Sequence, residues 1–318
     1  MRPMGDDPTF ADVRAAAERI APYVHRTPVA TCASINRMAG CSLHFKCEHV
    51  QKVGAFKARG ATNAVFSLSD EEADRGVCTH SSGNHAAALA RAAGLRGIPA
   101  HIVMPSSAPP VKKAAVAGYG ALITECEPTL EAREATLAEV QRRTGATFVH
   151  PYDDPRVIAG QGTAALELLG DVPNLDGVLA PVGGGGLASG TVLAVTAFAP
   201  GVEVWGAEPA GADDAFRSLR DGRRYPSVAP TTIADGLLTS LSDRTFRILR
   251  GGLAGILTVD DEAIVRAMRL LWERAKLLVE PSSAVPLAAV LADPSRFAGR
   301  RVGVILSGGN VDLDRLPW

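Results

Sequence analysis

The residue in this sequence best suited to covalent chemistry is Lys57, which lies at the centre of the segment QKVGAFKARGA. Gly54 allows a sharp turn before it, and the composition from Ala55 to Ala64 favours a helix, so Lys57 is expected in a first helical turn. The positive end of that helix and removal from water both favour a neutral amine. A neutral lysine amine attacks carbonyl compounds. Since most lysines are only solvated surface residues, this interpretation needs support from the rest of the chain.

A second candidate is the run Gly183, Gly184, Gly185 and Gly186, which directly follows the apolar segment Val178–Val182. Glycines between a strand and a helix leave backbone N–H groups free to bind an anion beside the positive helix end. No Gly-Lys-Ser/Thr follows, and no acidic residue is placed as in dinucleotide-binding turns. The run therefore favours a monophosphate site, and the alternative is a flexible turn.

A third candidate is the polar turn Ser81, Ser82, Gly83, Asn84 and His85, between a predicted strand and an alanine-rich helix. Such a turn lies at the carboxyl edge of a parallel sheet, where ligands collect. The Asn84 amide can donate to a phenolate-like oxygen, the Ser82 hydroxyl can exchange a proton, and His85 is suited to local hydrogen bonding. The alternative is a helix cap, because serine and asparagine are preferred there.

Two further groups follow strand ends. Ser307, in the turn Ser-Gly-Gly-Asn, can offer a neutral hydrogen bond to a ring nitrogen, or it can be part of an ordinary turn. Glu208, Asp213 and Asp214 have oxygen ligands suited to Mg²⁺ or Ca²⁺, although most acidic loops are only solvated. The sequence shows no Ser-His-Asp order, zinc-ligand spacing or basic-aromatic patch.

The elements that must position these residues alternate between strands and helices. Hydrophobic patterning predicts strands at Leu43–Lys46, Gly76–His80, Ala100–Met104, Ala121–Thr124, Phe148–His150, Val178–Val182, Val202–Ala207 and Val302–Leu306. It predicts helices at Phe10–Ile20, Ala55–Ala64, Asn84–Ala93, Val111–Ala117, Thr129–Arg143, Gln161–Leu169, Leu187–Phe198, Asp261–Ala275 and Ser283–Leu291. The stretch Gly211–Pro230, rich in Gly, Pro, Asp and Arg, is predicted to be mostly loop.

This alternation predicts an α/β protein with two open parallel sheets joined through right-handed crossovers. We expect residues 71–150 to form a small domain and residues 1–70 with 151–318 to form a large one. At 318 residues the chain has ample length for two domains.

Composition excludes several classes of function. The net charge is −1, which offers no electrostatic basis for binding nucleic acid or an anionic membrane. No apolar run reaches membrane-spanning length, and the N-terminal MRPMGDDPTF lacks the apolar core of a signal peptide. The five cysteines are odd in number and show no paired metal-ligand spacing, which indicates reduced thiols. We therefore expect a cytoplasmic protein.

In combination, these motifs resemble the fold type II pyridoxal-phosphate enzymes, and closely the serine racemase and serine/threonine dehydratase family. The resemblance covers nearly the whole chain. It rests on QKVGAFKARGA, SSGNHAAALA, CEPTLEAREA, IAGQGTAALE, PVGGGGLASG, AEPAGADDA, TIADGL, ERAKLLVEPSSA and LSGGNVDL. Nine motifs in one order form a far more specific signal than any single glycine turn.

The resemblance implies how pyridoxal 5'-phosphate would be held. Lys57 would be bonded to its aldehyde, Phe56 would pack beside its ring, and Asn84 would bond its 3-oxygen. Ser307 would meet the ring nitrogen. The phosphate would be held by Gly183, Gly184, Gly185, Gly186 and the backbone amide of Leu187.

The same resemblance implies a substrate site and a cation site. Ser81, Ser82, Asn84 and His85 would bind the substrate carboxylate region, with Arg133 and Thr239 near the rest of the substrate. Glu208, the Ala212 carbonyl and Asp214 would bind Mg²⁺ or Ca²⁺. The resemblance also implies a homodimer.

The sequence departs from the family pattern in two places. Ala55 stands where the family usually has serine, and Ala86-Ala87 replaces a Gly-Gln or Ala-Gln pair. The missing glutamine belongs to a nucleotide-effector site, although Lys52, Lys113, Tyr119 and Lys276 match other parts of it, so activation by ATP is not expected. With the sequence ending at Trp318, we expect no C-terminal regulatory domain like that of biosynthetic threonine deaminases and no feedback inhibition by isoleucine.

The expected activity is that of an ammonia-lyase that converts serine, threonine or a related β-hydroxy amino acid to a 2-oxo acid and ammonia. Lys57 would act as the base at Cα and Ser82 as a proton donor on the opposite face, which would also permit serine racemisation. The alternatives within this class are a dedicated amino-acid racemase and a 3-hydroxyaspartate dehydratase. A non-catalytic cofactor or nucleotide carrier and a nicotinamide oxidoreductase are the alternatives from other classes.

Overall fold

The structure is a computed structural model and describes residues 7–318. Most of the N-terminal segment on which the signal-peptide expectation depends therefore lies outside the described residues. Among residues 7–318, every helix is too short or too polar to cross a lipid bilayer.

The larger of two sheets has six strands. These are β1 (Val29–Ala30), β2 (Ser42–Cys47), β7 (Gly177–Pro181), β8 (Glu203–Pro209), β9 (Gly255–Val259) and β10 (Arg301–Leu306). Their spatial order is β1-β2-β10-β7-β8-β9. The short β1 pairs antiparallel with β2, and the remaining neighbours pair in parallel. Val302 in β10 is opposite Leu43 on one side and Gly177 on the other.

The smaller sheet has four parallel strands. These are β3 (Val77–His80), β4 (Ala100–Pro105), β5 (Leu122–Cys126) and β6 (Thr147–Phe148), in the spatial order β5-β4-β3-β6. All three pairings are parallel, as the alternation of strands and helices predicts.

Helices connect the strands and cover both sheets. They are α1 (Phe10–Ile20), α2 (Ala33–Ala39), α3 (Lys57–Phe66), α4 (Asp70–Arg75), α5 (Asn84–Arg96), α6 (Pro110–Gly118), α7 (Leu130–Thr144), α8 (Pro155–Asp171), α9 (Gly186–Phe198), α10 (Asp214–Asp221), α11 (Asp243–Gly252), α12 (Asp261–Leu270), α13 (Pro281–Ala292) and α14 (Pro294–Phe297).

Both faces of the larger sheet are covered by apolar side chains, which is why its strands are continuous hydrophobic runs. One face packs against α2, α12 and α13 through residues such as Ile35, Ile264 and Leu287. The other face packs against α1, α8, α9 and α11, where Leu168 and Val192 are central.

The helix that begins at Lys57 lies between the two sheets. Its residues Ala61, Ala64 and Val65 are buried in the same apolar cluster as the strands and helices of the smaller sheet. Its neighbours are α5 on one side and α8 on the other. The ranges 1–70, 71–150 and 151–318 stay a prediction as domain limits, because α3 shares its core with the smaller sheet.

The predicted α/β class with two open parallel sheets is confirmed, and the differences concern single elements. The prediction of a mostly loop segment over Gly211–Pro230 is wrong for its first half, because α10 forms there. Phe216 and Leu219 of α10 pack against the core, and this apolar pair is hard to recognise in the sequence because half of the eight residues of the helix are charged. The helix predicted as Asp261–Ala275 ends as an α-helix at Leu270 and continues as one π-helical turn. Sequence patterning also missed α2, α4, α11, α14, β1 and β9.

Candidate active site

Backbone contacts fix the start of α3 beside the turn that follows β10. Gly54 has φ +69°, a left-handed conformation that favours glycine and turns the chain into the helix. Ala55 forms an isolated antiparallel bridge to Gly308, and the Phe56 N–H donates to the Ser307 carbonyl at 2.9 Å. These bonds place Lys57 next to the end of β10 before any side chain is considered.

The Lys57 side chain turns inward. Its Nζ donates to the Pro151 carbonyl at 2.8 Å and lies 5.1 Å from the centre of the Phe56 ring. Burial lowers the pKa of the Lys57 amine to about 8, although the carboxyl of Glu280 opposes this shift. Near pH 8 about half of the amine is therefore neutral and able to act as a nucleophile or base.

The four-glycine turn lies at the end of β7 and leads into α9. Gly185 has φ +85°, and the helix begins at Gly186, so the backbone N–H groups of the turn and of Leu187 are at its positive end. A Cβ built on Gly184 would lie 2.3 Å from the ring of Tyr152. Since Tyr152 directly follows the residue that binds the Lys57 amine, the lysine and the glycine turn line the same space.

The other side of the glycine turn faces the segment after α10. A Cβ built on Gly183 would lie 3.0 Å from the Leu237 Cα and 3.3 Å from the Thr239 hydroxyl. Leu241 lies 2.8 Å from a Cβ built on Gly185. The neighbouring residues therefore leave no space for a side chain at Gly183, Gly184 or Gly185. Thr239 lies close to this turn.

The polar turn after β3 meets the same region through Asn84. The Asn84 Nδ2 donates to Glu280 Oε1 at 3.1 Å, and its Oδ1 accepts from Asn310 Nδ2 at 2.9 Å. Ser81 Oγ accepts the Gly83 N–H at 3.3 Å, which shapes the turn itself. Asn84 therefore joins the smaller sheet to the loops of the larger one.

His85 is buried below this turn. Its Nε2 lies 3.0 Å from the Val149 carbonyl, so we assign the proton to Nε2, while Nδ1 has no partner within residues 7–318. Burial lowers the pKa of His85 to about 3, and the charge of Lys57 adds to this. The neutral imidazole supports the interpretation of His85 as a local hydrogen-bonding residue rather than a base.

Glu280 was missed by the sequence analysis, although its motif was noted. This carboxyl is 6% exposed and accepts from Asn84 and from the Asn310 N–H. Burial raises the pKa of Glu280 to about 7, and the charge of Asp235 adds to this. A lone acidic residue between the apolar Leu278-Val279 and Pro281 was the signal that could have identified it.

A row of aromatic rings lines the site and was also missed. Rings of His80, Phe148, His150 and Tyr152 contact one another in that order, with centroids 5.9, 5.5 and 4.5 Å apart. The Nδ1 of His150 accepts the Asp153 N–H at 2.9 Å, which leaves its proton on Nε2. Burial lowers the pKa of His150 to about 4, so this ring is a neutral donor.

Ser307 is 3% exposed and is supported by Ser283. The two hydroxyl oxygens are 3.2 Å apart, and Ser283 Oγ also donates to the Gly308 carbonyl at 2.7 Å. No charged group bonds to Ser307 within the described chain, so a partner of this hydroxyl meets a neutral group.

Arg133 and Ser82 lie on the side of the smaller sheet. Arg133 is on α7, and its Nε is buried without a hydrogen-bond partner among residues 7–318. Burial lowers the pKa of the nearby His80, and the charge of Arg133 contributes to this shift. Ser82 is half-buried at the end of β3, next to Ser81. An unpaired guanidinium N–H is suited to a ligand oxygen.

Glu208, Ala212 and Asp214 form a separate cluster at the carboxyl end of β8. Glu208 is fully buried and accepts the backbone N–H groups of Ala215 and Phe216 at 3.1 and 2.8 Å. Both carboxylate oxygens of Asp214 are buried and have no partner in the described part of the chain. Burial raises the pKa of Glu208 to about 9 and that of Asp214 to about 6.

Apart from Ser81, Ser82, His85 and Arg133 on the side of the smaller sheet, the predicted site residues fall into two groups. Lys57, Phe56, Asn84, the glycine turn and Ser307 line one space between the sheets, and Thr239 borders it. The three acidic-loop residues form the second group. Asp213, considered with them from sequence, instead binds Arg217 at 2.7 Å.

Comparison with known proteins identifies the family to which the chain belongs. The family model described as pyridoxal-phosphate dependent enzyme matches residues 20–308. The beta-hydroxyaspartate dehydratase of Paracoccus denitrificans is 55% identical over 311 residues, which cover 98% of this chain and 99% of the relative. The L-threo-3-hydroxyaspartate ammonia-lyase of Saccharomyces cerevisiae is 47% identical and covers 97% of this chain and 95% of its own.

A solved structure shows the same fold. The crystal structure of serine racemase from Dictyostelium discoideum superposes with a TM-score of 0.93 and is 48% identical. The match covers 96% of this chain and 99% of the racemase chain.

Proposed function

The chain belongs to the family of pyridoxal-phosphate-dependent enzymes, and we propose that it is an ammonia-lyase for β-hydroxy amino acids that also racemises serine. In the proposed reaction the α-carbon loses its proton and the β-hydroxyl leaves with its electron pair, taking up a proton to become water. Cβ then gains a proton, and a water molecule replaces the amino group, which releases ammonia and a 2-oxo acid with no net change in water. The observation that carries this proposal is the half-buried, partly neutral Lys57 amine, which shares Pro151-Tyr152 as a neighbour with the glycine turn. Membership of this family decides against the nicotinamide oxidoreductase and the non-catalytic carrier.

The residues of the site fit the cofactor. Gly184 leaves no room for a side chain next to Tyr152, which is what a backbone cradle for a phosphate requires. Asn84 and Ser307 are neutral hydrogen-bonding groups near Lys57, suited to the ring oxygen and nitrogen. Phe56 offers an apolar surface to the ring. When bound, pyridoxal phosphate accepts electron density from the substrate Cα.

The side chains then have distinct tasks in the proposed reaction. Lys57 Nζ takes the α-proton, because its lowered pKa leaves a useful fraction of free amine near neutral pH. The Ser81 to His85 turn binds the substrate carboxylate at the start of α5, where backbone N–H groups are unpaired. Ser82 Oγ delivers a proton to the opposite face in racemisation.

The substrate side chain is the finer question, and the unpartnered Arg133 favours a second carboxylate, as in 3-hydroxyaspartate. We test this by measuring ammonia release from L-serine, L-threonine and L-threo-3-hydroxyaspartate. Arg133→Gln is expected to lower kcat/KM for 3-hydroxyaspartate by about 10- to 100-fold, because a charged hydrogen bond contributes about 1.5–3 kcal/mol. The value for serine should fall by much less.

Arg142→Gln is the matched control, since Arg142 lies on the same helix, is exposed and binds Glu139. Equal losses for both substrates in Arg133→Gln would contradict the dicarboxylate assignment. Absence of ammonia from every hydroxy amino acid in the cofactor-loaded wild-type protein would contradict the lyase itself.

We further propose that Glu208, the Ala212 carbonyl and Asp214 bind Mg²⁺ or Ca²⁺. Two neighbouring buried carboxyl groups, of which Asp214 has both oxygens without a partner among residues 7–318, are costly without a cation between them, and oxygen ligands suit these hard ions. Added Mg²⁺ at 100 times its dissociation constant should raise Tm by about 5 °C. Glu208→Gln should abolish this rise, whereas Asp213→Asn should keep it. A rise that survives Glu208→Gln would place the cation elsewhere.

A cytoplasmic homodimer is the proposed state of the protein. Its five cysteines are unpaired, which suits a reducing compartment. Light scattering after gel filtration should give about twice the mass of one chain, and a monomer would contradict the dimer.

A further inference from the structure

The largest fully buried side chain in the described chain is that of Arg59, two residues after Lys57. All five of its N–H groups face acceptors. Its Nε and Nη2 bind the two oxygens of Glu48 at 2.7 and 2.8 Å, and its Nη1 and Nη2 bind those of Glu167, both at 2.8 Å. Nη1 also donates to Thr163 Oγ at 3.1 Å. Because each carboxylate binds a different edge of the planar guanidinium with two hydrogen bonds, the orientation of the Arg59 side chain is fixed.

The partners come from different elements. Glu48 directly follows β2, whereas Thr163 and Glu167 are on α8. Lys46 of β2 is also fully buried and binds Glu167 Oε2 at 2.7 Å. Two cations and two carboxylates therefore balance in charge. Burial lowers the pKa of Arg59, but the carboxylate of Glu48 and then that of Glu167 raise it on balance.

Stability alone does not explain such a network. Well-packed apolar side chains of similar volume are often as stabilising as a buried ion pair, or more so, because desolvation offsets much of the attraction. A buried ionic network with fixed geometry can instead hold the elements that it joins in a single relative position. Here the joined elements are the helix that carries Lys57, the strand before it and α8.

Helix α8 also sets the position of the glycine turn. A Cβ built on Gly160 would lie 2.6 Å from the Cα of Gly60 in α3, and one built on Gly190 in α9 would lie 2.5 Å from the Gly162 nitrogen. Both helices thus contact α8 through backbone, two residues apart. In addition, the Gly60 N–H donates to the buried Gln161 side chain at 3.1 Å.

We propose that Arg59 is a positioning residue, which locks the helix of Lys57 onto α8 and thereby sets the place of the Lys57 amine relative to the glycine turn that begins α9. The proposal rests on the function proposed above for Lys57. Arg59 itself binds neither substrate nor cofactor. Its effect passes through helix register, so its loss moves the amine before it unfolds the protein.

The test is Arg59→Lys, which keeps the charge but loses the two-sided fork. We expect kcat to fall by about 10- to 100-fold with KM changed less than about threefold, because a small misplacement of a reacting group has effects of this size. In the cofactor-free protein, the pH dependence of Lys57 modification by an amine-reactive reagent should report a pKa above about 8, as water reaches the displaced amine. This second measurement requires no turnover.

Arg26→Lys is the control, since Arg26 binds Asp171 at the exposed border of the same network and should leave both measurements unchanged. Glu167→Gln removes one side of the fork, keeps Glu48, and should give the same two changes to a smaller degree. An Arg59→Lys protein with wild-type kcat and amine pKa would overturn the proposal, as would loss of folding in both network variants. Lack of ammonia release by wild-type protein would instead count against the proposed function, and the modification measurement would still stand.

Discussion

Lys57→Ala is expected to lower the rate of ammonia release by about 10³-fold or more while the protein stays folded. The variant removes the only amine that contacts the Pro151 carbonyl within the described chain and lies near the Phe56 ring. If Lys57 has both proposed roles, base catalysis and covalent attachment of the cofactor should be lost together. The visible absorption band of protein-bound pyridoxal phosphate should change at the same time, and stopped assays with lactate dehydrogenase or ammonia detection measure the rate.

Ser82→Ala is the informative companion, because it leaves Lys57 in place. In the two-face mechanism, Lys57 removes the α-proton on one face and Ser82 delivers a proton on the other. The rate of serine racemisation by the variant should therefore fall by about 10²-fold, while the rate of dehydration of the L-substrate falls much less. Chiral chromatography of residual serine measures the first and 2-oxo acid formation the second.

Lys52→Ala is the matched control for Lys57, since Lys52 precedes α3 and makes no side-chain bond to the site within residues 7–318. Its spectrum and rate should equal those of the wild type. An unchanged spectrum in Lys57→Ala would refute the assignment of the attachment site, and equal loss of both activities in Ser82→Ala would refute the two-face mechanism.

The parts of this site that sequence predicts are those whose local chemistry is unusual. Lys57 stands out because two glycines bracket it. The four-glycine turn stands out because consecutive glycines are entropically costly to order, so they indicate a specific requirement on the backbone. Eight of the ten strands, all except β1 and β9, are predicted to within a few residues because buried parallel strands are continuous apolar runs. Local composition and period carry this information without knowledge of the tertiary structure.

The missed parts depend on contacts between distant segments. The place of Glu280 in the site can be recognised only from its hydrogen bonds to Asn84 and Asn310, which are distant from it in the sequence or belong to other elements. Tyr152 is an ordinary tyrosine in sequence, and only packing reveals that it covers Gly184. Arg59 follows Lys57 closely, yet Glu167 lies 108 residues further along the chain, so no local pattern connects them.

Gly184→Ala is expected to weaken cofactor binding by about 100-fold, the second largest effect. Its Cβ would lie 2.3 Å from both Cδ1 and Cγ of the Tyr152 ring, which is closer than any real carbon contact. The ring and its neighbour Pro151, whose carbonyl holds the Lys57 amine, must shift, or the turn must open and misdirect its N–H groups. Titration of the cofactor-free protein with pyridoxal phosphate, followed by absorbance, measures the affinity.

Gly251→Ala is the matched control, because nothing lies within 4 Å of a Cβ built there and its φ is not left-handed. Its affinity should equal that of the wild type. The double variant Gly184→Ala/Tyr152→Ala separates the two causes: removal of the ring should restore most of the lost affinity if the clash is responsible, and the two changes should then be strongly non-additive. If Gly184→Ala binds the cofactor as tightly as Gly251→Ala, the phosphate does not lie in this turn, because the clash with Tyr152 would otherwise displace the N–H groups that hold it.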